Sequence, residues 1–157
     1  MADPNRFLDV PVPALVLGFA GALPFVAGAI AMFTGPDWLK LTAYLYLMNY
    51  AALILAFLGA VHWGLALAAD DRRPVGWGWY SLSVVPAVLG WVALGLIQPM
   101  GKLALFAIAY AGVFILDVQA ARSGLAPAWY PRLRKPLTVI VLLAIAAIGF
   151  AVNLAAS

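Results

Sequence analysis

Cysteine is absent from all 157 residues, which excludes disulfides, thiolate metal sites, a cysteine nucleophile and a thiol redox switch. Histidine occurs once, at His62. A zinc site needs three or four ligands, and haem iron, which can use a single histidine, finds no second strong ligand here. Charge is scarce as well: 10% of residues are charged, against about 25% in a typical soluble domain. No glycine-rich phosphate loop occurs, and Ser81 and Ser83 lie outside any nucleophile motif. The residues therefore offer no catalytic constellation and imply neither metal nor cofactor. The net charge of +3 does not point to nucleic acid, because the nine Lys and Arg form no basic stripe and sit between apolar runs.

What remains is apolar. Hydrophobic residues make up 66% of the chain and the mean hydropathy is +1.03. A water-soluble globule of this size could not hide that much apolar surface, whereas a membrane helix needs roughly 20 such residues per crossing. Five runs qualify, from about Pro13 to Phe33, Trp38 to Ala69, Trp77 to Ile97, Lys102 to Ala121 and Leu137 to Ala155. They are separated by Thr34-Gly35-Pro36-Asp37, Asp70-Asp71-Arg72-Arg73-Pro74, Gln98-Pro99-Met100-Gly101 and the long segment Arg122 to Pro136. Transmembrane strands would alternate polar and apolar residues over about ten positions, and these runs are apolar on all sides. The expected architecture is an all-α integral membrane protein, one membrane domain built as a five-helix transmembrane bundle. The first run is too long for the core of a signal peptide and reads as an uncleaved helix.

Counting Lys and Arg by side gives an orientation. Arg6, Arg72, Arg73, Arg122, Arg132, Arg134 and Lys135 fall on one side, and only Lys40 and Lys102 on the other. Seven against two places the N-terminus in the cytoplasm and, after five crossings, the C-terminus outside. A weak internal echo links Leu23-Pro24-Phe25-Val26-Ala27-Gly28 to Val85-Pro86-Ala87-Val88-Leu89-Gly90. Helices one-two and three-four read either as parallel repeats of one hairpin or as apolar helices of similar composition.

Pro24 and Pro86 lie inside helices, where each ring removes one backbone hydrogen bond and kinks the chain. His62 and Asp117 are the ionisable side chains inside apolar runs, and both fall within a few turns of the basic face. An ionisable group at that depth marks a functional site by default. One reading pairs His62 with Asp117 to accept a proton or orient a ligand. The other takes both to the headgroup region, with Asp117 paired to Arg122 or another loop base. Asn49, Tyr110 and Gln119 complete the candidate polar site, either lining a pocket or tying helices together. Ala56, Ala60 and Gly64 read as a small-residue groove for close helix contact. In the fourth loop, Trp129 and Tyr130 suit the headgroup level while Arg132, Arg134 and Lys135 can reach lipid phosphates or a partner.

Taken together, Leu23-Pro24-Phe25, the segment from Phe57 to Gly64, Ser83-Val84-Val85-Pro86, Asp117 and Gly124-Leu125-Ala126-Pro127-Ala128-Trp129-Tyr130-Pro131-Arg132-Leu133-Arg134 resemble the transmembrane protein 69-like family, domain of unknown function 3429. This group is bacterial and mitochondrial. The resemblance runs from helix one to helix five and implies five membrane helices, with no established activity. The function expected is that of a non-enzymatic multi-pass protein of a bacterial inner membrane. It binds a small hydrophobic or lipid-like ligand or assists a membrane complex, as a homo-oligomer or with a membrane-protein partner. The alternative is a small transporter or proton-coupled permease using His62 and Asp117.

Overall fold

A computed structural model describes residues 9–70 and 75–156, without the side chains of residues 70 and 156. Arg6, Arg72 and Arg73, which contribute to the orientation count, lie outside the described residues. The described residues form five α-helices: α1 (Val12–Thr34), α2 (Asp37–Asp70), α3 (Trp77–Gly95), α4 (Pro99–Arg122) and α5 (Tyr130–Ala156). All five are long and apolar enough to cross a membrane. Large side chains such as Leu17, Phe57, Trp91 and Ile97 stand exposed along them. That is the surface hydrocarbon accepts and water does not.

The helix ends follow local chemistry. Gly35 closes α1 with its N–H on the Ala31 carbonyl, and Asp37 starts α2, where the positive end of the helix dipole favours a carboxylate. Gln98-Pro99, expected as part of a turn, instead opens α4 with Pro99 in the first turn, where a missing N–H costs nothing. After α4, Gly124 takes the left-handed conformation at φ 75°. Leu125 N–H then bonds the Ala120 carbonyl at 2.9 Å and Gly124 N–H the Ala121 carbonyl at 3.2 Å. This Schellman closure satisfies carbonyls that the helix end would leave bare. It also shortens the fourth loop. The stretch expected to be irregular up to Pro136 is helical from Tyr130, so Arg132, Arg134 and Lys135 ride on the first turns of α5.

In packing, α2 lies along α3, α1 sits between α2 and α5, and α4 touches α2, α3 and α5. Helices α4 and α5 are the most buried and α1 the least. The core gathers Phe25, Met48, Leu55, Phe106, Tyr110 and Ile148. Where α2 meets α3, the close contact does not use the expected Ala56, Ala60 and Gly64 groove: a Cβ on Gly64 would meet nothing within 4 Å. It uses Gly90, whose missing Cβ would sit 3.2 Å from the Ala52 backbone, and Gly59, whose Cβ would fall on the Ser83 carbonyl oxygen. Ser83 lies three residues before Pro86, in the turn that the proline ring distorts. The absent side chain of Gly59 on α2 leaves room for the Ser83 carbonyl.

Gly59→Ala is expected to destabilise the protein by about 1 to 3 kcal/mol, the usual cost of overpacking, whereas Gly64→Ala leaves stability unchanged. Thermal unfolding of both variants in one detergent checks this, and equal melting temperatures for the two would refute the contact.

Candidate functional site

The site is built from three helices near the ends that carry the basic residues. Asp117 lies five residues before the end of α4 and Arg134 four residues after the start of α5, so at 1.5 Å per residue both sit about 6 to 8 Å in from the α4–α5 loop. The antiparallel turn brings them level. Arg134 Nε donates to Asp117 Oδ2 at 2.8 Å, and both side chains are buried. From α2, His62 Nε2 faces the other oxygen, Asp117 Oδ1, at 3.4 Å. The opposite ring nitrogen, Nδ1, lies 3.0 Å from the Leu58 carbonyl one helical turn back. The Tyr130 hydroxyl approaches the same carboxylate from the loop side.

Asp117 is fully buried and His62 is 2% exposed. In hydrocarbon such groups are tolerated when paired, and here the pairing is partial: His62 Nε2 and Asp117 Oδ1 approach each other without a hydrogen bond. Arg134 is incompletely answered: its Nη2 is buried without a hydrogen-bond partner, as is the Thr138 hydroxyl one turn further along α5. Both residues line a cavity of 140 Å³ between α1, α2 and α5, whose other walls include Leu17, Gly18, Phe57 and Leu137. Gly18 and Gly21 keep the α1 wall low. The deep end is stopped by Phe25, packed edge-on to Tyr110 with ring centres 5.9 Å apart and tilted against Tyr50 at 5.4 Å.

The remaining sequence candidates fall in different places. Tyr110 donates to the Ala51 carbonyl at 2.9 Å, tying α4 to α2 while its ring closes the cavity. Asn49 is not in the site: it is exposed and donates to the Leu45 carbonyl of its own helix. Gln119 is exposed too, about 200° around α4 from Asp117. Pro24 faces outward, and the turn before it is braced by Tyr50, which donates to the Gly21 carbonyl at 2.9 Å. Pro86 is buried against α2. Of the residues expected at lipid headgroups, Trp129 and Tyr130 are half-buried and pair edge to face. Arg132 meets Asp9 at 3.2 Å and stays partly exposed. Arg134 departs from that expectation altogether, because it turns inward to Asp117. Arg122 is exposed. Thr138 carried no sequence signal beyond being a hydroxyl in an apolar run.

With this geometry in hand, comparison with known proteins places the chain. The model of the family described as "Protein of unknown function (DUF3429)" matches residues 10–150. The chain belongs to the DUF3429 family. It is similar to transmembrane protein 69 of Xenopus tropicalis, 33% identical over 151 residues, which is 96% of this chain and 58% of the frog protein. It is also similar to transmembrane protein 69 of Mus musculus, 32% identical over 87 residues, 55% of this chain and 35% of the mouse protein. The chain thus spans little more than half the length of the first of these relatives. No solved structure matches it. The DUF3429 match takes in His62, Asp117, Arg134 and Thr138, so the whole site lies inside the family region.

Asp117→Leu strands a buried guanidinium and is expected to cost about 3 kcal/mol or more, while joining it to Arg134→Leu recovers most of the loss. A double-mutant cycle on unfolding in detergent measures this, and strictly additive losses would show that the two side chains do not act as a pair.

Proposed function

We propose that this DUF3429 protein holds a lipid-like molecule in the cavity between α1, α2 and α5, with the molecule's polar end accepting hydrogen bonds from Arg134 and Thr138. One observation carries the reading: Arg134 and Thr138, each with a buried donor that lacks a partner, line an apolar cavity. Buried donors left unmade cost free energy, and an acceptor arriving from the bilayer removes that cost. The long axis fits as well. Leu17 to Phe25 on α1 and Arg134 to Val141 on α5 define a groove about 10 to 12 Å long. Its polar end lies near the membrane face and its apolar end toward the middle.

A second reading, a proton-coupled permease, draws on the contact of His62 with Asp117. The aromatic stop formed by Phe25, Tyr50 and Tyr110 favours retention over passage, because the cavity has no continuation past those rings among its lining residues. The excess of cations at the α4–α5 end supports a cytoplasmic N-terminus. In an inner membrane, the site would then open at the cytoplasmic leaflet.

A diazirine-bearing single-chain lipid added to the membrane-embedded protein is expected to label Leu17, Phe57, Leu137 and Val141 ahead of the equally apolar Leu143 and Phe150. Mapping by peptide mass spectrometry reads this out. Labelling spread evenly over every exposed apolar face would refute a held ligand.

A further inference from the structure

We infer that the occupant of this cavity is a single-chain amphiphile with an anionic head, and that its binding is linked to one proton held between His62 and Asp117. The inference rests on the ligand-holding reading and specifies its chemistry. Both nitrogens of His62 face acceptors, the Leu58 carbonyl at 3.0 Å and Asp117 Oδ1 at 3.4 Å. A carbonyl only accepts, so Nδ1 is the donor there, and a neutral ring then has only a lone pair to turn toward a carboxylate oxygen. One additional proton resolves the clash, whether it rides on Nε2 or on Oδ1.

The charge count follows directly. With that proton, His62, Asp117 and Arg134 together carry +1; without it they sum to zero. Among the described residues, the surroundings supply no further balancing charge. Helices α1 and α3 contain no Asp, Glu, Lys or Arg. On α3 the tyrosine, Tyr80, packs edge-on to Trp63 with ring centres 5.1 Å apart. From α4 the charged neighbour is Asp117 itself, from α5 it is Arg134, and Tyr130 is a neutral hydroxyl. Asp9 is engaged with Arg132 at the surface. A buried net positive charge calls for an anion, and the triad residue that lines the cavity is Arg134, whose Nη2 is unpartnered, together with Thr138, whose hydroxyl is unpartnered too. These are two hydrogen-bond donors, one of them cationic, suited to a carboxylate, sulfonate or phosphate oxygen. The cavity of 140 Å³ admits such a head with the first few carbons of one chain.

The test measures equilibrium binding of a radiolabelled twelve-carbon alkyl sulfonate and of the matching alcohol to the protein in zwitterionic nanodiscs, corrected for empty discs. The sulfonate stays ionised throughout, so any pH effect belongs to the protein. The sulfonate is expected to bind roughly tenfold more tightly than the alcohol, and to lose that advantage as pH is raised, since losing the proton takes the triad from +1 to zero. His62→Gln removes the pH dependence and weakens the sulfonate; Thr138→Val weakens both ligands; Asp117→Asn tightens the sulfonate. Should Asp117→Asn fail to fold, the pH series on the parent protein still decides. Equal binding of sulfonate and alcohol at every pH would overturn the anionic, proton-linked inference while leaving a ligand cavity standing. Binding of neither would overturn both.

Discussion

Hydrocarbon offers neither donor nor acceptor, so each polar group inside this bundle has to be met by another part of the chain. The bond from Arg134 to Asp117 at 2.8 Å is where that constraint acts most strongly. It allows a full positive charge and a full negative charge to be buried together between α4 and α5, the two most buried helices. It also fixes the level at which His62 can approach from α2. The same constraint acts at lower strength elsewhere. Tyr50 and Tyr110 each send a hydroxyl to a backbone carbonyl of a different helix, and His62 turns one nitrogen to the carbonyl a turn behind it. Interhelical bonds of this kind contribute about 0.6 kcal/mol each on average, whereas removing one partner of a buried ion pair is far more costly, because it strands the other.

Most of the architecture was legible because hydropathy and helix punctuation act locally. Gly35 ends α1 within the Thr34-Gly35-Pro36-Asp37 turn signal, and five apolar runs leave few alternatives in a membrane, whereas Pro99, which reads as part of a turn, begins α4. His62 and Asp117 were legible for the opposite reason, as ionisable residues in apolar surroundings. Arg134 was hidden among Pro131, Arg132, Lys135 and Pro136, a composition that reads as a surface loop. Pro131 falls in the first turn of α5, where its missing N–H has no intrahelical role. Pro136 gives up a bond to the carbonyl of Arg132, close to the helix start where water and headgroups can reach. A helix therefore begins where the sequence suggested none, and its first turns carry an arginine inward. Asn49 and Gln119 could not be placed for a different reason. In helices apolar all round, hydropathy does not report rotational phase, and only packing decides which polar residue looks inward.

The two prolines show how similar local sequence meets different surroundings. Pro24 faces outward and the turn before it is tied down by a tyrosine from α2; Pro86 is buried, and the turn before it presses a carbonyl onto Gly59 of the same α2. Helix α2 thus stabilises both distorted turns, with a donor in one case and with an absent side chain in the other. Its length, 34 residues, lets it reach both and still present His62 to α4.

Stability alone does not explain the triad. Replacing a buried ion pair by well-packed apolar side chains is often neutral or favourable, and here the pair leaves the Nη2 donor of Arg134 unmade. A purely structural clasp would be expected to use Arg134 fully; this one spends a single nitrogen on Asp117 and leaves Nη2 buried without a partner. On the proposed reading, Asp117 is a positioning residue that holds the guanidinium at a fixed angle, and His62 sets the charge beside the cavity. A groove about two helical turns long, charged at its shallow end and closed by aromatic rings at its deep end, matches the polarity profile of one bilayer leaflet.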